Sequence, residues 1–312
     1  MAYGDRDMSS LQMTMVAAFV RLAYRPRMAT AERGRARVAA AKGPSAPPAR
    51  LRRRHAVATR QVAGFDCHTV TPRGRPAQRA AVYLHGGAYI SEISAQHWAL
   101  VSRLADAGVR VEVPSYGLAP QHTHRDAYPF LTEVYRQLLT AVDADTVTVL
   151  GDSAGGGLAL GLARTLAGAD LPQPRRLVLI APWLDLTMSN PGIPAVEARD
   201  PWLRRAGLHE AAAAWAGGDD RTDPRLSPLN GPLTGLAPID LYVGSRDICL
   251  PDALLLRDRA DAEGTPVRLT VCEGAVHVYP LVPAPEGRAA ARAIVATVAG
   301  RTVRTTGADP AR

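Results

Sequence analysis

Val147-Thr148-Val149-Leu150-Gly151-Asp152-Ser153-Ala154-Gly155-Gly156 is the stretch on which the fold turns. The β-branched apolar run reads as a strand, and the small residues from Gly157 to Ala167 read as a helix. Between them lies Gly-x-Ser-x-Gly, the pattern of a sharp strand-to-helix turn that exposes its serine. Gly151 and Gly155 leave room for close backbone approach. Ser153 is therefore expected in a strained position at the carboxyl end of a strand. The ordinary alternative is a strand–helix turn with no chemistry, and the short motif does not exclude it by itself.

Working outward, strand-like runs recur at 55–62, 65–71, 79–84, 109–113, 146–150, 176–180, 238–243 and 267–272. The first two are one turn apart and read as an antiparallel hairpin. The later ones alternate with helical patterns at about 95–107, 126–142, 153–168, 251–263 and 286–300. This rhythm predicts an α/β fold: a mostly parallel sheet of eight strands with helices on both faces. The stretch 183–235 breaks it with Pro191, Pro194, Pro201, Pro224, Pro228 and Pro232 and a short Ala-rich helix near 208–216. An insertion at the end that carries the site suggests a lid or cap. Before the sheet, helical patterns at about 8–24 and 29–41 lead into a linker at 43–48. The expected division is residues 1–54, cap helices and basic linker, and residues 55–312, a catalytic domain with the cap insertion at 183–235.

Composition suits a soluble globular protein: 312 residues, 47% hydrophobic and 21% charged. The net charge of +8 is uneven. Residues 21–60 hold twelve Lys/Arg against the single acid Glu32, while the rest is close to neutral. The block lacks interleaved aromatics, which argues against nucleic acid. It reads as a solvated, partly flexible arm, with weak contact to an acidic membrane surface as the other reading. Residues 11–20 are too short to span a bilayer and lack the flanks of a secretory signal. Cys67, Cys249 and Cys272 have no metal-ligand spacing and read as buried thiols in a reducing, cytoplasmic setting.

A serine hydroxyl needs a base, and the base an orienting carboxylate. His277 follows the strand-like run 267–272, and Asp247 follows the preceding one in Gly244-Ser245-Arg246-Asp247. With Ser153 they stand in the chain order that this turn demands, each just past a strand's carboxyl end. Asp252, the rival carboxylate, fits the start of a helix better. Developing negative charge needs N–H donors. Gly86 and Gly87 in His85-Gly86-Gly87-Ala88-Tyr89 offer them, with Ala154 next to the serine. Ala88, Tyr89, Trp98, Asp152 and Trp202 are candidate pocket walls, as are Trp183 and Trp215.

These pieces resemble the bacterial hormone-sensitive-lipase-like family of α/β-hydrolases, across most of residues 79–281. The resemblance rests on His85-Gly86-Gly87, Tyr116-Gly117-Leu118-Ala119-Pro120, Gly151-Asp152-Ser153-Ala154-Gly155-Gly156, Asp200-Pro201-Trp202-Leu203, Asp223-Pro224-Arg225-Leu226-Ser227-Pro228 and His277. It implies carboxylic ester hydrolysis with no metal or cofactor, and a cap built from the N-terminal helices plus the insertion. It casts Ser153 as nucleophile, His277 as base, Asp247 as its orienter and His85 as a brace. Ala88 stands where the family usually has a third glycine, placing a methyl beside the pocket that argues against bulky alcohols. Gly117 and Gln121 replace the usual Arg and Glu.

The expectation is thus a serine carboxylesterase for short-to-medium acyl esters, monomeric or homodimeric, acting on a small molecule. An amidase or deacetylase of a small natural product on the same triad is the alternative. A non-catalytic ligand receptor fits less well, because that lineage lacks the histidine that His277 supplies.

Overall fold

The run Leu177-Val178-Leu179-Ile180 is buried along its whole length, which suits a strand covered on both faces. In the computed structural model, which describes residues 9–301, this strand lies well inside an eight-stranded sheet. Helices α1 (Leu11–Ala23), α2 (Ala31–Ala39) and α3 (Ala49–Arg54) precede strands β1 (Ala56–Val62), β2 (Phe65–Thr71) and β3 (Arg79–Leu84). Then come α4 (Ala95–Asp106), β4 (Val109–Pro114), α5 (His124–Leu139), β5 (Val147–Asp152), α6 (Ala154–Leu166) and β6 (Arg176–Ile180). After β6 run α7 (Ile193–Arg199), α8 (Arg205–Ala216), β7 (Ile239–Gly244), α9 (Leu250–Ala262), β8 (Val267–Cys272) and α10 (Pro285–Val298).

The strand order is β1-β2-β4-β3-β5-β6-β7-β8. β2 pairs antiparallel with β1 and with β4, and every later pairing is parallel. The expected eight-stranded, mostly parallel sheet is present, with its antiparallel hairpin at one edge. Successive strand residues point to opposite faces. Ala80, Val82, Val149, Leu177 and Leu241 accordingly join Phe130, Leu158 and Leu256 of α5, α6 and α9 in one core. Ala81, Tyr83, Leu150, Val178 and Ile180 join Val101 of α4 and Ile294 of α10 in the other.

Two helices depart from the expected pattern. α3 forms within the Arg-rich segment read as linker, and Leu51 is its buried residue. α7 forms within the proline-rich insertion, because Pro194 sits in its first turn, where the missing N–H costs nothing.

The basic block also needs correcting. Residues 21–60 do not form a solvated arm; they fold onto the body. Arg60 Nη1 donates to the buried Glu112 at 2.5 Å, Arg54 pairs with Asp106 at 2.7 Å and Arg35 with Glu210 at 3.2 Å. α1 is tied at its start to α10, where the Ser10 N–H and hydroxyl donate to the Glu286 carboxylate at 2.6 and 2.8 Å. α2 lies across α8. A Cβ on Gly34 would come within 2.8 Å of Gly207 Cα, and one on Gly207 within 2.7 Å of Met28. Among the described residues no helix is long and apolar enough to cross a membrane.

Candidate active site

Ser153 follows β5 and opens α6 with φ +51° and ψ −122°. A non-glycine residue there stores strain of about 1–3 kcal/mol. The turn holds it in place: Ser153 N–H donates to Ile180 O at 2.8 Å, and Trp183 N–H donates to Ser153 O at 2.9 Å. The turn can be this tight because Gly155 lies against the Leu84 carbonyl, where a Cβ would overlap it.

The carboxyl ends of β5, β7 and β8 bring three side chains into one line. Ser153 Oγ lies 2.9 Å from His277 Nε2. On the far side of the ring, Nδ1 lies 3.0 and 2.9 Å from the two oxygens of Asp247. An acid on Nδ1 fixes the neutral tautomer with Nε2 free to accept from the serine. Asp247 is fully buried and also accepts from the Cys249 N–H at 2.9 Å. Burial by itself would lower the His277 pKa, but the charge and hydrogen bond of Asp247, helped by Asp200 and Asp152, hold it above the ordinary value. Asp252 does not reach the histidine. It lies in the first turn of α9 and accepts from Asn190 Nδ2 at 2.9 Å.

Gly86 and Gly87 lie across from Ser153. A Cβ on Gly86 would fall 2.9 Å from Ser153 Cβ, and Gly87 has φ +125° with Ser91 O where its Cβ would be. Among the described residues, the N–H groups of Gly86, Gly87 and Ala154 donate to no protein acceptor. The loop is braced from behind. His85 Nδ1 bonds the Gly86 carbonyl at 2.7 Å, its ring stacks on Tyr116 at 4.7 Å, and the Tyr116 hydroxyl donates to His85 O at 2.6 Å. Burial, with His97 second, lowers His85 to about 4, so it is neutral and structural near neutral pH.

A cavity of about 560 Å³ opens on these groups, walled by Gly86, Gly87, Ala88, Asp152, Ser153, Trp202 and His277. Ala88 reaches it with φ +53°. Asp152 is buried beneath, accepting from Tyr83 Oη at 2.6 Å and bonding His97 Nε2 at 3.2 Å. Tyr89 and Trp98 do not line this cavity. Tyr89 stacks on Trp215 at 4.4 Å and, with Trp183, is packed in the core. Trp98 is buried on the other face of the sheet, beside His68. Proximity to a motif in sequence does not say which face a ring takes, and these rings took the core.

Several residues here carried no role in the sequence. Asp200 accepts from the N–H groups of Trp202 and Leu203 at 2.6 and 2.9 Å and from Ile248 N–H at 2.9 Å. It thereby ties the insertion to the loop that carries Asp247. Burial, then the charge of Asp247, pushes its pKa up. The far wall of the cavity comes from α1 and its exit: Met15, Val16, Phe19, Val20 and Tyr24. The signal was there, since α1 has no continuous polar face. An aromatic path runs inward from it, Phe19 to Tyr24 at 5.8 Å, Tyr24 to Trp202 at 5.6 Å, and Trp202 edge-on to His277 at 5.8 Å.

One group among the described residues has metal-ligand spacing, Asp247, Cys249 and His277. Its aspartate and imidazole are engaged in the hydrogen-bonded line above, and burial pushes the Cys249 thiol well above its ordinary value.

Residues 81–281 match the family described as alpha/beta hydrolase fold. An acetyl-hydrolase of Streptomyces hygroscopicus is 37% identical over 240 residues, which is 74% of this chain and 78% of that protein. An ethyl acetate hydrolase of Pseudomonas putida is 32% identical over 237 residues, covering 69% and 72%. The crystal structure of an esterase from the bacterial hormone-sensitive lipase family superposes with a TM-score of 0.76 at 26% identity, covering 94% of this chain and 98% of that one. The chain belongs to the α/β-hydrolase fold family, in its hormone-sensitive-lipase-like branch.

Proposed function

We propose that Ser153, His277 and Asp247 are the catalytic triad of a serine carboxylesterase, with Gly86, Gly87 and Ala154 as the oxyanion donors. The chain is a carboxylic ester hydrolase, and the observation that carries the triad is the hydrogen-bonded line Ser153–His277–Asp247 at 2.9 to 3.0 Å. Ser153 Oγ attacks the ester carbonyl carbon while its proton passes to His277 Nε2. The carbonyl oxygen, now negative, is received by the three free N–H groups. Collapse expels the alcohol, which takes the proton from His277. Water then attacks the acyl-enzyme, His277 accepts its proton, and Ser153 departs with that proton as the acid is released. Asp247 steadies the imidazolium through its bond to Nδ1.

The size of the cavity, about 560 Å³, supports short-to-medium acyl chains. Ala88 and Trp202 border it and are assigned to the substrate pocket, with Asp152 beneath. Residues 1–54 and the insertion 183–235 are assigned to the cap, and residues 55–312 otherwise to the catalytic domain. α1 and α8 support this assignment by placing Val16 and Leu208 in the cavity wall. The test is direct: Ser153→Ala should abolish hydrolysis of p-nitrophenyl butyrate and labelling by a fluorophosphonate. Retention of most activity would sink the assignment.

A second reading, an amidase or deacetylase of a small natural product, is favoured by the likeness to a protein named acetyl-hydrolase. Matched ester and amide substrates separate the two. We place the protein in the cytoplasm, where its free cysteines stay reduced, as monomer or homodimer. Weak contact of residues 21–60 with an acidic membrane surface is supported by Leu22, exposed beside Arg21 at the end of α1, which continues the exposed apolar residues Leu11, Met15 and Phe19 that precede the segment. Binding to anionic vesicles tests it.

A further inference from the structure

Among the eleven arginines of residues 21–60, two sets stand apart. Arg35, Arg54 and Arg60 each pair with an acid of the body. Arg27 and Arg37 line the cavity that holds Ser153, and among the described residues neither forms an ion pair. Arg37 Nη2 donates to Ser91 Oγ at 2.7 Å, and the Arg27 guanidinium lies over the Tyr24 ring at 4.6 Å. The cavity's own carboxylates do not neutralise them. Asp152 is taken by Tyr83 and His97, and Lys42 is the cation that acts on Glu92.

The protein's own groups leave the charge of Arg37 disfavoured. Burial lowers the Arg37 pKa, and the like charge of Arg27 lowers it further. A guanidinium in an apolar wall keeps free donors that match a carboxylate or phosphate in a two-pronged bond. Arg37 is also well placed for a bound ester. Its partner Ser91 donates its N–H to Gly87 O at 3.0 Å, so the guanidinium is attached to the loop that carries Gly86 and Gly87.

We propose that Arg37, assisted by Arg27, forms a subsite for an anionic group on the substrate, so that the preferred substrates are esters carrying a carboxylate or phosphate away from the scissile bond. This rests on the reading of Ser153 as the nucleophile. The charge can sit on the acyl or the alcohol side, and two pairs of substrates distinguish these. The acyl pair is the p-nitrophenyl monoester of adipic acid against p-nitrophenyl heptanoate. The alcohol pair is 4-acetoxybenzoate against 4-isopropylphenyl acetate.

The readout is the ratio of kcat/KM within each pair. The ratio should favour the anion in at least one pair by roughly ten-fold at low ionic strength and fall as salt is added. Arg37→Met should collapse that ratio by about the same factor, and Arg37→Lys should keep part of it. No anionic preference in either pair, or a ratio unchanged by Arg37→Met, would overturn the subsite. Failure of all four esters to turn over would instead sink the esterase reading. The subsite is then read from binding alone: Ser153→Ala protein should bind the adipate monoester about ten-fold tighter than the heptanoate, and adding Arg37→Met should abolish that difference. Equal binding of the two esters overturns it.

Discussion

Asp247 holds His277 through both of its carboxylate oxygens, which accept from Nδ1 at 3.0 and 2.9 Å. Two consequences can be measured. A histidine acts as a base only when neutral, and the pKa of His277, the proposed base, is held above the ordinary value of about 6.5 chiefly by Asp247 against the opposing pull of burial. The acid limb of the pH–kcat/KM profile should therefore lie above that value, with activity lost as pH falls through it. In Asp247→Asn the charge is gone, burial dominates, and the limb should move to lower pH. The amide also favours the wrong tautomer, so kcat should drop by about 10³ to 10⁴. A variant with an unmoved limb would remove Asp247 from the role assigned to it.

Asp200 accepts three backbone N–H groups from two loops and adds to the field that raises His277. Asp200→Asn can accept with one oxygen only, and its NH₂ must face an N–H. The expected cost is about 1–3 kcal/mol of stability, read by urea unfolding. Asp200→Asn should also lower the acid limb of the profile, though less than Asp247→Asn. A stability loss with no movement of the limb would make Asp200 a brace only.

The hydrogen-bonded line of the proposed triad was legible because each of its residues hangs from the end of a strand, and those strands announce themselves as apolar runs bounded by turn residues. Ser153, Asp247 and His277 needed only chain order and strand ends to be brought together. α3 was not legible because Ala49-Arg50-Leu51-Arg52-Arg53-Arg54 has one buried apolar residue and so no periodicity. Arg35, Arg54 and Arg60 looked free because their partners Glu210, Asp106 and Glu112 lie far along the chain. The fate of Tyr89 and Trp98 depended on which side of the sheet each ring met, which a local pattern does not encode. The apolar character of α1 was legible, but the cavity it walls was not, because Ser153 and His277 lie far along the chain.

Ala88 holds φ +53°, a region that glycine enters freely and alanine at a cost of about 1–2 kcal/mol. It also projects a methyl into the cavity. Ala88→Gly should leave stability unchanged or raise it by up to about 1 kcal/mol, since the relief is offset by the entropy that glycine loses. It should raise kcat/KM for acetate esters of bulky alcohols relative to ethyl acetate. An unchanged ratio across an alcohol panel would show that the methyl does not limit the site.

Gly34 and Gly207 let α2 and α8 touch at the backbone, and a Cβ at either would press on main-chain atoms. Gly207→Val must push α2 and Met28 outward, costing about 1–3 kcal/mol. Because Met28 and Arg37 line the cavity, KM should rise for p-nitrophenyl esters while fluorophosphonate still labels Ser153. Loss of labelling together with activity would indicate unfolding beyond the helix pair.

Glu112 is fully buried in β4, with Arg60 Nη1 at 2.5 Å, Arg110 Nη2 at 2.7 Å and Thr69 Oγ1 at 2.8 Å. Burial by itself would raise its pKa, but these partners hold it below the ordinary carboxylate value. A depressed carboxylate contributes stability that is present above its unfolded pKa and lost as pH falls through its folded one. Arg60→Met leaves the charge with Arg110, Thr69 and the Cys67 thiol and should cost about 2–4 kcal/mol near neutral pH. The gap between wild type and variant should narrow in acid, where Glu112 takes up a proton in both proteins. Urea unfolding at neutral pH and below about pH 4 measures it. A gap that stays constant across that range would assign the loss to the packed stem of Arg60 rather than to its charge, and Arg60→Lys, which keeps an aliphatic stem, should then stay close to wild type at every pH.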